Sequence, residues 1–366
     1  MSNIKSPGVT VAYRQAADRA ISRGRHGVAA VILRDAAANL SAKSYVLSGG
    51  QVPGDLGKDT QEAIQRAWLG YIDRPRQLLV YVMGASATIT SGCDALKWLS
   101  TQSFDYIAGH DKMTSDESAA LKDFVLEQRR DNRRTCVAVL PNTKGDSEAV
   151  VNFVGADLEA KDGKTYTTAA YCGRIAGLLA GTPDSMSATY APLPDLLDCK
   201  RSTVAEQGEA TGRGELTVLW DGEKVKVGRA VNSLTTVEPP KAESWQKIRL
   251  VRIVDGVLSD IVRTAEDAYI GKVSNTYEHK LSLVVAIRSY LAALIQAGQL
   301  SHGECDIDTA AQRKYLEDHK VPGALDMEDA QVRAANTGSH VFLTLSIMPV
   351  DAMEDITLTV EIGGAA

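Results

Sequence analysis

From Val28 to Leu33, Leu78 to Val82, Phe104 to Ile107 and Cys136 to Leu140 the chain passes through short, nearly unbroken apolar stretches, the pattern of strands buried on both faces. Between them the period lengthens. Ile64, Ala67, Trp68 and Tyr71 fall at i, i+3, i+4 and i+7 behind Asp59, which is placed to N-cap a helix with Glu62 in its first turn. Ile89, Cys93, Leu96 and Leu99 mark a less regular helix. Thr114 and Glu117 form a capping box ahead of Leu121, Phe124 and Val125, and that helix ends on Arg129 and Arg130, where positive charge suits the dipole. Strands alternating with helices of this length predict an α/β layer domain, assigned residues 27–170.

Between Gly173 and Asp198 a small-residue helix gives way to turns at Gly181, Pro183, Pro192 and Pro194, which places a domain joint there. Beyond it, Leu216 to Trp220 and Lys224 to Ala230 flank Asp221-Gly222, a hairpin signal. Lys247 to Val254 reads as a strand, followed by a helix carrying Val257, Leu258, Ile261, Ala265 and Tyr269 and closed by Gly271. The helix after Asn275, with Leu281, Val284, Val285, Leu291 and Ile295, is apolar nearly all round and should centre a second core. This second domain is assigned residues 171–340, with an amino-terminal arm at 1–26 and a carboxy-terminal arm at 341–366.

The carboxy-terminal arm has the character of strands without a stated partner. In Phe342, Leu343, Leu345 and Ile347 the apolar positions largely alternate with Thr344 and Ser346, and Ile356, Leu358, Val360 and Ile362 alternate strictly with Thr357, Thr359 and Glu361. Pro349 and Asp351 interrupt the two runs. Val9, Thr10 and Val11 form a short candidate strand at the other end. Unpaired strand N–H and C=O groups must find a sheet, in the same chain or in a neighbour's.

The two ends also carry opposite charge. Lys5, Arg14, Arg19, Arg23 and Arg25 stand against one acid in the first 26 residues, whereas Asp351, Glu354, Asp355 and Glu361 meet no Lys or Arg in the last stretch. Within one chain this is a salt-bridged closure, each exposed pair contributing about 0.2–1 kcal/mol. Between chains it would help set orientation and register.

Composition narrows the function classes. A 44% hydrophobic, 23% charged chain of 366 residues is an ordinary globular protein, and a net charge of −6 argues against a dedicated nucleic-acid binder. Cys93, Cys136, Cys172, Cys199 and Cys305 are odd in number and scattered, which suggests a reducing compartment and no metal clip. MSNIKSPGVTVAYRQ lacks a signal-peptide core, and Leu281 to Gln296, interrupted by Arg288, is too short to span a bilayer. The loops after Val82, Ile107 and Leu140 each hold a single Gly, too few for a phosphate cradle, and at Gly57-Lys58 the flanking Val52 and Asp59 break the P-loop pattern. His302-Gly303-Glu304-Cys305 reads as a polar surface loop, and His26, His110, His279, His319 and His340 as solvated residues. No cofactor, metal or catalytic residue is expected; an α/β nucleotide- or metabolite-binding enzyme is the alternative.

Five segments in order carry a resemblance: Pro7-Gly8-Val9, GRIAGLLAGTP (173–183), Gly228-Arg229-Ala230-Val231-Asn232-Ser233-Leu234-Thr235, DAYIGKVSNTY (267–277) and DAMEDI (351–356). Together they resemble the tail sheath protein of contractile phages, in particular the compact sheaths of defective prophages and phage-tail-like bacteriocins. The resemblance implies an outer α/β domain and a mixed α/β core completed by terminal strands exchanged between subunits. It implies a structural subunit that stacks as hexameric rings around a tail tube and contracts without nucleotide hydrolysis. Its partners would be itself, the tube protein, and baseplate and tail terminator proteins, with no nucleic acid and no membrane insertion. It would reside in a virion tail or tail-like particle assembled in the bacterial cytoplasm. The strand residues at both ends would pair between subunits, and Arg14, Arg19, Arg23, Arg25, Asp351, Glu354 and Asp355 would be their charged contacts.

Overall fold

A computed structural model describes residues 20, 21, 24, 26–35, 42–239 and 241–362. The described residues fall into two compact units, one of residues 24–259 with 349–362, the other of residues 260–348 with 20 and 21.

The first unit is built in chain order from β1 (Val28–Asp35), β2 (Lys43–Ser48), α1 (Lys58–Ala67), β3 (Gln77–Gly84), α2 (Asp94–Ser100), β4 (Tyr106–Ala108), α3 (Ser115–Asp131), β5 (Val137–Pro141) and β6 (Val150–Val154). There follow β7 (Leu158–Ala160), β8 (Thr165–Tyr166), α4 (Thr168–Ala180), β9 (Leu196–Asp198), α5 (Val204–Gly212), β10 (Glu215–Trp220), β11 (Val225–Val227) and α6 (Ile248–Ala268), which runs on past the unit's last residue. Eight strands form one sheet in the order β11-β10-β6-β5-β4-β1-β3-β2, parallel from β10 to β3 with antiparallel β11 and β2 at its edges. The apolar run of β1 is divided by the pleat. Ala29, Val31 and Leu33 face α1 and α4, and Val28, Ala30 and Ile32 face α2 and α3, so both faces are covered.

The strands predicted from the four apolar runs appear as β1, β3, β4 and β5, most predicted helices appear where the pattern places them, and the Thr114–Glu117 capping box is formed. The Asp221-Gly222 hairpin joins β10 to β11, whose paired strand is limited to Val225–Val227. The sequence division at 170/171 falls inside α4, whereas the compact units divide within α6 at Asp260.

Three local readings are corrected. Asp59 is not the N-cap of α1: that position is Gly57, whose N–H is accepted at 2.6 Å by the buried Asp35 carboxylate from the end of β1. A cap supplied by another element leaves no local pattern. Lys247 to Val254 is not a strand but the approach to and first turns of α6. Its β-branched run is ambiguous by itself, and helix wins because Ile248, Val251 and Val257 turn one stripe inward, all buried. Ile89, though buried, precedes α2 rather than belonging to it.

The second unit contains α7 (Tyr277–Gln296), β12 (Leu300–Ile307), α8 (Thr309–Asp318), α9 (Asp329–Ala334) and β13 (Leu343–Pro349). Helix α7 is not apolar all round: Val285 is exposed, and Lys280 is buried among Val284, Ile287 and Leu291 on the inner face. His302 to Cys305 is not a surface loop; it lies within β12, with Cys305 buried.

Candidate functional site

The carboxy-terminal run separates into three pieces with different surroundings. Leu343–Pro349 is β13, paired with β12 of the same chain in a two-stranded sheet. Asp308 N–H donates to Phe342 O at 3.0 Å at one end and Ser301 Oγ donates to Met348 O at 3.2 Å at the other, so the strands run antiparallel. Leu343, Leu345 and Ile347 are half-buried while Thr344, Ser346 and Met348 face solvent, the alternation read from the sequence.

The acidic bend from Val350 to Asp355 is seated on its own unit. Glu354 is its anchor: its side chain is only 6% exposed, and its Oε1 accepts from Ser187 Oγ at 2.9 Å and Thr189 Oγ1 at 2.6 Å. Its Oε2 faces Lys247 Nζ at 3.3 Å and Arg229 Nε at 3.9 Å. Lys247 also pairs with Asp351, Arg229 with Asp355, and Arg249 donates to the Val350 carbonyl. Burial by itself would lower the Lys247 ammonium, but Asp351 and Glu354 outweigh it and leave its pKa raised. The Arg229 guanidinium lowers the pKa of Asp355. These bases come from the loop after β11 and the start of α6, elements brought together by the sheet and its covering helices.

Beyond the bend the chain is bare. Ile356, Leu358, Val360 and Ile362 are 82, 80, 68 and 90% exposed, and no strand pairing is formed from Asp351 to Ile362. Four large apolar side chains at period two, with unladdered backbone, are what a strand looks like before it has a sheet.

The structure thus brings Asp351, Glu354 and Asp355 together, and the bases that meet them in the described chain are Lys247, Arg229 and Arg249. Val9, Thr10, Val11, Arg14, Arg19, Arg23 and Arg25 lie outside the described residues. Lys247 and Arg249 were missed because they sit in a stretch that reads as a strand. Arg229 lay inside a segment singled out for its resemblance.

One polar cluster elsewhere corrects a sequence reading. His110 is buried, not solvated, and its Nε2 lies 3.0 Å from Glu117 Oε1, which also accepts from Arg34 Nη2 at 2.6 Å and Ile89 N–H at 3.1 Å. The Lys112 N–H donates to His110 Nδ1 at 3.1 Å, which leaves Nε2 as the ring nitrogen that donates to Glu117. Burial by itself would raise Glu117, but these donors and the Thr114 N–H hold it down to about 2. Every member is satisfied within the network, which joins β1, the α2 approach and α3. Among the described residues no cluster of His, Cys, Asp and Glu is arranged to hold a metal, and no helix is long and apolar enough to cross a membrane.

The described chain comprises a layered α/β unit with a bare, alternately apolar segment rooted by its own side chains, and a second, smaller unit. The chain belongs to the phage tail sheath protein family. It is 30% identical over 361 residues to the tail sheath protein of Clostridium phage phiCD119, covering 96% of this chain and 98% of that one. Residues 240–363 match the phage tail sheath C-terminal domain. Among solved structures, the sheath tail protein of Desulfitobacterium hafniense superposes with a TM-score of 0.64 at 17% identity, over 82% of this chain and 94% of that one. The helical sheath of the anti-feeding prophage in its contracted state superposes with a TM-score of 0.65 at 13% identity, over 99% of each chain. At these identities the structural likeness is one of fold.

Proposed function

We propose that this sheath subunit polymerises as hexameric rings around a tail tube and contracts to drive that tube through a target cell envelope. The observation that carries the reading is the segment Ile356–Ile362, apolar at every second position, exposed and anchored at its root by Glu354. Added to a sheet of a neighbouring subunit, it would satisfy its backbone and cover its side chains in one step, with main-chain bonds for strength and alternate side chains for specificity. Among the described residues the β12–β13 sheet has two strands only, and its edges, with Leu343, Leu345 and Ile347 beside them, are of the kind that accepts it. Val9 to Val11 would contribute from the other terminus, and the basic residues Arg14, Arg19, Arg23 and Arg25 would meet acidic surfaces of adjacent subunits.

Contraction on this reading is a rigid-body transition between two packings of the subunit bodies, with the arms keeping the lattice connected. It requires no nucleotide and no catalytic residue. The two arms and the core, residues 171–340, would face the tube and adjacent subunits, with residues 27–170 outermost. The tube, baseplate and tail terminator proteins are the remaining partners, in a virion tail or tail-like particle assembled in the bacterial cytoplasm. The solved anti-feeding prophage neighbour is a helical sheath in a contracted state, which supports the polymeric and contractile parts of the reading for a chain of this fold.

Electron microscopy of the purified protein tests it. Hollow sheath-like cylinders are expected from the full chain, and discrete folded particles from a chain ending at Asp355. Cylinders of normal length from the truncated chain would overturn the role of the strand. A calorimetric titration with ATP should give no heat of binding; a clear heat would revive the enzyme reading.

A further inference from the structure

The second unit buries a cation that pairs with no acid among the described residues. Lys280, on the inner face of α7, is 3% exposed, and its Nζ donates to Thr337 Oγ1 at 3.1 Å, Ala335 O at 3.2 Å and Gln312 Oε1 at 3.5 Å. Gln312 and Thr337 are themselves fully buried. The same hydroxyl accepts from Asn275 Nδ2 at 3.2 Å and donates to His340 O, while Asn275 Nδ2 also donates to Gly338 O at 2.8 Å and His340 O at 2.9 Å. Gln312 Nε2 reaches Val332 O and Arg333 O at the end of α9. The neighbouring charges are committed elsewhere: Arg313 to Asp329, Arg333 to Asp306, and Glu278 to its own helix start. His279 bonds Ser274 O and the Thr276 hydroxyl.

Two of the three acceptors of Lys280, Ala335 O and Thr337 Oγ1, belong to the connector between α9 and β13, and the third and longest, Gln312 Oε1, belongs to α8. That connector decides at which residue β13 enters its pairing with β12. In β13 a slip of one residue would turn Leu343, Leu345 and Ile347 outward and Thr344, Ser346 and Met348 inward. A two-stranded pairing is only marginally stable by itself, and the face that would fix the register of β13 is only half-buried. A buried polar group that can be satisfied in one setting only is a known way to fix one.

We propose that Lys280 is a positioning residue that sets the register of β13 by fixing the 335–340 connector. Its ammonium is satisfied by two oxygens of that connector and one of α8, and a shifted connector would leave it buried with only the 3.5 Å contact to Gln312. Specificity of this kind is bought with stability, since desolvation without a counter-charge lowers the Lys280 pKa. A lowered folded-state pKa means that the unfolded chain binds the extra proton more readily, so stability should rise as pH climbs toward the ordinary lysine value.

The inference rests on the sheath reading only in its last step, that a correctly registered β13 is what assembly requires; its direct test uses the unassembled chain. Hydrogen exchange of the full chain, read peptide by peptide, should show residues 335–349 exchanging about tenfold faster in Lys280→Met, with the first unit unchanged. Thr337→Val, which removes the shared hydroxyl and keeps the lysine, should do the same. Wild-type stability should rise more steeply than that of Lys280→Met as pH approaches the ordinary lysine value from below. Unchanged exchange in 335–349 for both variants, or identical pH slopes, overturns the proposal. If Lys280→Met does not fold, Thr337→Val and the wild-type slope decide it. Faster exchange with normal cylinders would keep the register claim and sink only its link to assembly.

Discussion

Glu354 meets two hydroxyls and two cations while almost wholly buried, which makes it the strongest attachment of the carboxy-terminal run to its own unit. Replacing it by Ala would leave Lys247 with Asp351 and Arg229 with Asp355 but would empty the centre of the clasp. Glu354→Ala should destabilise the first unit by about 1–3 kcal/mol, measured by denaturant unfolding, and speed hydrogen exchange over residues 350–355. Reversing Asp351, Glu354 and Asp355 together to Lys should go further and impair assembly, because Lys247, Arg229 and Arg249 would then repel the root. Unchanged cylinders across a range of salt would remove the electrostatic part of the reading. Glu117 gives the pH test. Its folded pKa of about 2 lies below its unfolded value, so its contribution is complete above that unfolded value and is lost as pH falls through the folded one. A shift of this size corresponds to roughly 3 kcal/mol. Glu117→Gln should therefore flatten the acid unfolding curve below pH 4.5 as well as lower stability at neutral pH.

At the scale of elements, the pattern of apolar positions predicted what local sequence can specify. The continuous runs of β1, β3, β4 and β5 announced strands covered on both faces, and the capping box of α3 marked its first turn to the residue. It failed where a distant group acts on a local choice, as when Asp35 caps α1 or when the β-branched start of α6 is held helical by the surface it buries. The contact of α1 with α4 is another such case. A Cβ on Gly177 would fall 1.9 Å from the Ala67 carbonyl oxygen, so the two helices approach backbone to backbone. Gly177→Ala should force them apart and cost about 3 kcal/mol, seen as a lowered Tm of the whole unit. Deleting Ile356–Ile362, by contrast, should leave Tm unchanged, because those residues bury nothing in the isolated chain.

For the molecule as a whole, the sequence determined that the chain is a mixed α/β protein, that its ends carry strand-like and oppositely charged segments, and that its ordered motifs are those of a tail sheath protein. Periodicity and short motifs suffice for these because each is written in neighbouring residues. Which of the two carboxy-terminal strands is left free could not be read there, since Phe342–Ile347 and Ile356–Ile362 alternate alike. Tertiary structure decided it: β12 lies beside the first and pairs with it, while the second finds no sheet in the described chain. It also assigned the acidic bend to Lys247, Arg229 and Arg249, because salt bridges depend on which loops the sheet brings within a few ångströms, and sequence distance carries no record of that.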